Sequence, residues 1–249
     1  MKKLYLVPIF LSGALSCDRV SGPRLAPGTA SPELASSAQP ADPPPAHPVL
    51  AGHGTATIDG VLSPGEWDTA ATFTFDVNLP GGGTTPGTLY VMDDHVNMYV
   101  ALSFARGTVD LGNSFDVQFD NDDSGFPYAN GDDVLVVNPD FDPPLIDDVR
   151  TNAPPCPPGR RPGTCGFRDV DLGGTNDGQA AFHNDGATTV YELSHPLDSG
   201  DPNDFSLKPG DRVGMAIFVR MIAGSNFPDD FGDTDFPEFG EFLHIRIRG

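Results

Sequence analysis

The sequence predicts an all-β protein, an antiparallel two-sheet β-sandwich. Three observations point there. From Ala56 onward, short runs alternate apolar and polar residues, the two-residue period of a half-buried strand. Gly, Asp, Asn and Pro punctuate those runs, and the 249-residue chain holds 29 glycines and 26 prolines. No segment of useful length keeps the 3.6-residue apolar period of an amphipathic helix.

The strands follow in order. Phe73 to Val77 alternates. Thr88 to Met92 and Val96 to Phe104 flank Asp93-Asp94-His95 and read as a hairpin, with Met98, Val100, Leu102 and Phe104 on one face. Ser114 to Asp120 turns Phe115, Val117 and Phe119 inward. Val134 to Val137 is a short apolar run, as in a strand buried on both faces. Gln179 to Phe182 and Thr188 to Leu193 flank Asn184-Asp185-Gly186, a second hairpin signal. Arg212 to Ile222 alternates through Val213, Met215, Ile217, Val219 and Met221, and Leu243, Ile245 and Ile247 close the chain. One stretch, 138–178, is poor in aliphatic residues and reads as a long loop insert.

The N-terminus has a different organisation. Lys2 and Lys3 precede an apolar run from Leu4 to Leu15, then Ser16 and Cys17. A run of this length is too short for a membrane span, which needs about 20 residues, and matches the core of a signal peptide. Leu11 to Cys17 resembles the lipobox of bacterial lipoproteins, although Ala14 occupies the position where leucine is preferred. The resemblance implies a signal peptide over 1–16, lipidation at Cys17 and extracytoplasmic attachment to an inner or outer membrane. Residues 17–50 carry eight prolines among Ala, Ser and Gly. They predict a disordered tether, because too few large apolar side chains are present to offset the entropy of ordering. The sandwich domain is expected over 51–249. Three cysteines occur. With Cys17 assigned to lipid, Cys156 and Cys165 are expected to form a disulfide that pins the insert, since their spacing is not that of a zinc site.

Charge narrows the partners. The chain has 35 acidic and 14 basic residues, a net charge of −21. Such a field repels nucleic-acid phosphates and anionic lipid surfaces and attracts cations. Asp120-Asn121-Asp122-Asp123-Ser124-Gly125 has the alternating oxygen donors of a calcium loop. Asp120, Asp122 and Ser124 are therefore candidate ligands, joined by Asp132 and Asp133 in place of a glutamate at the twelfth position. A second acidic stretch runs through Asp229, Asp230, Asp233, Asp235 and Glu238. The six histidines, His47, His53, His95, His183, His195 and His244, stand in no metal or catalytic motif and read as loop or sheet-face residues. No nucleophile elbow or phosphate-binding loop occurs, so a non-catalytic role is expected.

Ile58-Asp59-Gly60-Val61-Leu62-Ser63-Pro64-Gly65-Glu66-Trp67 resembles the opening of family 9 carbohydrate-binding modules and their DOMON-like relatives. Leu89 to Phe104 is similar to the family's hairpin. Tyr191 to Leu197, followed by Leu207 to Gly214, is similar to its later segment. The resemblance implies a two-sheet β-sandwich, a structural role for Asp59, Gly60, Glu66 and Trp67, bound calcium and a carbohydrate ligand. The family clamps sugar between two tryptophans, whereas this chain has only Trp67, which is expected in the core. Loop aromatics would then meet the ligand: Phe126, Tyr128, Phe227, Phe231 and Phe236. The expected function is a membrane-anchored binding module for a glycan. A lipoprotein presenting its loops to an extracellular protein is the alternative. A haem-binding subunit of the same fold, ligated through Met92, Met98, Met215 or Met221, is the more distant one; those methionines alternate on strands and read as core.

Overall fold

A computed structural model describes residues 48–106, 113–121, 124–125, 129–151, 165–221, 233–237 and 241–249. The chain forms two facing sheets. The larger contains β1 (Val49–Leu50), β14 (Leu243–Arg246), β12 (Arg212–Arg220), β6 (Ser114–Asp120), β7 (Asp133–Val137), β8 (Leu145–Thr151) and β9 (Cys165–Arg168) in that spatial order, with β13 (Thr234–Phe236) also paired to β12. The smaller runs β10 (Gln179–Asn184), β11 (Thr189–Pro196), β5 (Asn97–Phe104), β4 (Thr84–Asp93) and β2 (Gly52–His53), with β3 (Ala71–Asn78) also paired to β4.

The core forms where the alternation said it would. Met98, Val100, Leu102 and Phe104 of β5 face Phe115, Val117 and Phe119 of β6 and Val213, Met215, Ile217 and Val219 of β12 in one buried cluster. Met92, Met98, Met215 and Met221, read from the sequence as core, are all fully buried. Strand β6 has the expected bounds.

Two expectations need correction. The sheets are mixed, not wholly antiparallel: β1 runs parallel to β14 and β2 parallel to β4. The entering chain passes from one sheet edge to the other through Ala51, whose N–H donates to the Arg246 carbonyl. Gly52 allows this crossing, because a Cβ there would lie 2.1 Å from the Thr69 carbonyl oxygen. The 138–178 insert is not a plain loop. It adds β8 and β9 to the larger sheet's edge and a single helical turn, α1 (Asp169–Leu172). The strand period of β8 was disguised by Asp147, an acid buried at a position where an apolar residue is expected. As for the cysteines, Cys156 lies outside the described residues, and no disulfide is seen among those described.

The outer face of the smaller sheet is covered by residues 54–67. Trp67 is 5% exposed and packs on Tyr90 edge-on, with Met92, Tyr99 and Ala101 beneath. Its indole N–H donates to Glu192 Oε1, while the Asp59 and Gly60 N–H groups donate to Glu192 Oε2. Glu66 accepts the Thr57 N–H. Gly60 has φ +85°, and a Cβ there would meet the Phe182 backbone at 2.8 Å. The opening motif is thus a cradle around one buried carboxylate of β11. Burial pushes the Glu192 pKa up, against the three hydrogen bonds that favour the anion.

Glu192→Ala leaves two backbone donors and the Trp67 N–H buried without an acceptor. Urea unfolding should show a loss of about 2–4 kcal/mol. A loss below ~1 kcal/mol would mean that water readily replaces the carboxylate.

Candidate functional site

Strand alternation carries acidic and imidazole groups into the sandwich. On β7, Leu135 and Val137 are inward, and the same face continues to Asp133. On β8 the inward Leu145 is followed by Asp147, and on β11 the inward Tyr191 and Leu193 are followed by His195. Each polar residue extends an apolar row by one step, so the three meet at one end of the core, between the sheets. Asp204, from the segment after β11, completes the group. Asp133, Asp147 and His195 are at most 2% exposed and Asp204 is 8% exposed. One donor atom from each lies within 4.8 Å of all the others. Phe205 packs on both His195 and Phe119, at 4.8 and 4.5 Å between ring centres, and closes the space.

The polar contacts are incomplete. Asp147 Oδ2 accepts the Asp177 N–H at 3.0 Å, and Asp204 Oδ2 accepts the Ser199 hydroxyl at 2.6 Å. Asp147 Oδ1, Asp204 Oδ1, Asp133 Oδ2 and His195 Nε2 make no hydrogen bond. A second group, Asp169, Asp201 and Asp204, shares Asp204 and continues outward to the half-buried Asp201.

Burial pushes the Asp133 and Asp147 carboxyls up, and neighbouring aspartates push further in the same direction. Asp169 rises to about 8, through burial first and then the neighbouring Asp204 carboxyl. Burial alone would lower His195, but Asp147 and Asp204 outweigh it and raise it to about 10. Asp204 is held low despite burial, by His195 and Ser199.

The calcium candidates fall differently from their order in the chain. Asp120 accepts the Ser124 and Gly125 N–H groups at 2.8 and 2.9 Å and closes its own turn. Asp132 Oδ2 accepts from Gln118 Nε2 and the Ala129 N–H. Asp133, the next residue, points the other way, into the inner cluster. Asp122 lies outside the described residues; Asp120 and Ser124 do come together, the Ser124 hydroxyl donating to Asp120 Oδ1 at 3.2 Å, while Asp132 is held by Gln118 and Ala129. Of the loop aromatics, Phe126, Tyr128, Phe227 and Phe231 also lie outside them. Phe236 is half-buried and stacks on Phe75 with 4.5 Å between ring centres. A further histidine pair, His53 and His95, flanks Asp93, whose two oxygens already accept the His95 and Arg248 N–H groups.

Behind β11, on the smaller sheet's outer face, lies a polar depression of about 350 Å³. Its floor is the cross-strand row Gln179, Ser194 and Tyr99, with Asn97 and Pro196 in the next row; Ala56, Ile58 and Gly178 form the rim. Tyr99 is 7% exposed, and its hydroxyl donates to Asp94 Oδ2 at 2.8 Å. Burial, then the Asp94 charge, pushes the Tyr99 pKa up to about 12. Asp94 moves down: burial opposes, but hydrogen bonds from Asn97, Tyr99 and Val96 outweigh it.

No family model and no curated protein matches the sequence. Solved structures do match the fold. One is a family 9 carbohydrate-binding module from Caldicellulosiruptor kristjanssonii in complex with cellotriose, with TM-score 0.51, 14% identity, and coverage of 82% of this chain and 94% of that one. The same organism's family 9 module in complex with glucose matches with TM-score 0.53 and 13% identity, over 82% of this chain and 96% of that one. A crystal structure from Bacteroides uniformis matches with TM-score 0.51 and 9% identity, over 80% and 98%. The chain has a family 9 carbohydrate-binding-module-like fold. In this chain the Ile58 to Trp67 stretch forms the Glu192 cradle.

The inner cluster sets a pH dependence for the chain in chelating buffer. Asp169 is raised from 3.8 to about 8, so the folded chain keeps a proton that the unfolded chain releases, and this stability is lost as pH rises through about 8. His195, raised from 6.5 to about 10, adds stability that is full below pH 6.5 and fades toward 10. The low Asp204 opposes this only at the acid end, where its contribution is lost as pH falls. The melting temperature in chelator should therefore fall between pH 6 and pH 9. A rise over that range would show that the cluster does not hold these protons.

Proposed function

We propose that this chain is a non-catalytic carbohydrate-binding module, held to the cell envelope by a lipid on Cys17 and braced by calcium. The observation that carries the reading is its sandwich fold, shared with modules solved in complex with cellotriose and with glucose. The depression on the outer face supplies a place. Its volume of about 350 Å³ suits the end of a sugar chain better than a long chain laid on a flat platform. Asn97, Gln179 and Ser194 offer both donors and acceptors, the complement of sugar hydroxyls. Trp67, buried under the Glu192 cradle, takes no part in contacting sugar. The Lys2 to Cys17 pattern supports the anchor, and the proline-rich 17–50 stretch the reach. At roughly 3 Å per residue, such a tether spans tens of ångströms.

Glycan arrays and isothermal titration, with and without calcium, test the binding. The chain should bind a sugar terminus, and Asn97→Ala or Gln179→Ala should weaken it about tenfold, the worth of a hydrogen bond to a hydroxyl. Absence of binding to any glycan in either buffer would overturn the reading. Unchanged affinity in both variants would remove the depression from it.

Cys17→Ser should move the expressed chain from the membrane fraction to the soluble one and abolish incorporation of an alkyne fatty acid. Equal labelling of both forms would exclude Cys17 as the acceptor.

A further inference from the structure

We infer that the inner cluster is a binding site for one divalent transition-metal ion, held by Asp133, Asp147, Asp204 and His195 Nε2. The site goes beyond glycan binding and does not depend on it. It also lies apart from the Asp120 turn.

His195 decides the chemistry. Its Nδ1 lies 2.8 Å from the Pro196 carbonyl oxygen. A carbonyl only accepts, so Nδ1 carries a hydrogen and donates it. The Nε2 of a neutral ring is then a lone pair. It faces Asp204 Oδ2 at 3.3 Å and Asp147 Oδ2 at 3.6 Å, makes no hydrogen bond, and belongs to a residue 1% exposed. Without an ion a proton on Nε2 offsets the two carboxylates, which is why they raise His195; a metal ion would displace that proton and take the lone pair. An imidazole fixed through Nδ1 to a backbone carbonyl is the usual way a ligating histidine is oriented.

The dimensions fit an ion. Ligands bonded at 2.0–2.2 Å around a tetrahedral centre lie roughly 3.4 Å apart, the scale of the two Nε2–oxygen distances. The carboxylates are supported from behind. Asp177 N–H holds Asp147, the Ser199 hydroxyl holds Asp204, and the Phe205 N–H donates to Asp133. Each of the three keeps one oxygen without a hydrogen bond. Three buried carboxylates beside one imidazole leave an excess of negative charge that a divalent ion offsets.

The donor set also selects the ion. Calcium and magnesium take oxygen ligands, whereas imidazole with carboxylates suits zinc or manganese. Four protein ligands, closed over by Phe205, make a structural site rather than a catalytic one. The ion ties β7 and β8 of one sheet to β11 of the other, and both to the segment after β11. Asp169 and Asp201 continue the acidic group outward and mark its entry path.

The test uses the full chain in detergent. After exposure to Zn²⁺ or Mn²⁺ and desalting, elemental analysis should find one equivalent retained, and a chelator should lower the melting temperature reversibly. His195→Gln should weaken retention by at least the ~100-fold seen when a supporting contact to a ligand is lost. Co²⁺ added to the unmutated chain should give visible d–d bands of a tetrahedral site, a readout that needs no variant to fold. Asp147→Asn should also lose the ion and melt lower. Three results would each overturn the proposal: no retained ion with a melting temperature indifferent to chelator, retention of Ca²⁺ alone that His195→Gln leaves intact, or an Asp147→Asn variant that melts higher because only repulsion was relieved.

Discussion

A carboxylate buried against a β-sheet keeps its charge only against a counter-charge or a full set of hydrogen bonds. This constraint acts twice on β11, once on each face. On the outer face Glu192 meets it with three donors, drawn from the opening motif and from the Trp67 indole. That arrangement fixes where residues 54–67 lie and seals the apolar layer of Met92, Tyr99 and Ala101. On the inner face the same strand presents His195 to Asp133, Asp147 and Asp204, whose hydrogen bonds are left incomplete. One face is satisfied by the chain itself. The other is satisfied only by shared protons or by an ion.

The two faces are mechanically joined. Asp147 receives its N–H contact from Asp177 and gives its own N–H to Asn176. The next two residues, Gly178 and Gln179, form part of the outer depression, and Gly178 packs so closely on β11 that a Cβ would lie 2.3 Å from the Ser194 carbonyl oxygen. His195 faces inward while its neighbours Ser194 and Pro196 line the depression. Whatever neutralises the inner cluster therefore also steadies the depression's floor and rim, which is the arrangement a binding site on rigid elements requires.

Much of this was legible in the residues. Alternation located the strands of both sheets, and β6 has the bounds its pattern implies, because one apolar face and one polar face repeat without exception from Ser114 to Asp120. Strands β1 and β2 are two residues long, too short for any period to register. Strand β8 was hidden because Asp147 breaks the apolar row. The same break is the signal of the site. Asp133 was grouped with Asp132 for their adjacency, yet adjacent strand residues point to opposite faces, so the two serve different contacts. His195 looked like a sheet-face residue in isolation. Placed on the inward row after Tyr191 and Leu193, it is a polar side chain where a core residue belongs, and three such exceptions at one end of the sandwich form the cluster.

The most direct test of this account is an anomalous difference map from crystals of the zinc-loaded chain, recorded on either side of the zinc absorption edge. The account predicts a single peak at bonding distance from His195 Nε2 and from one oxygen each of Asp133, Asp147 and Asp204. A map without that peak, with His195 Nε2 instead donating to a carboxylate oxygen in good hydrogen-bond geometry, would contradict it and leave the cluster as a proton-sharing network.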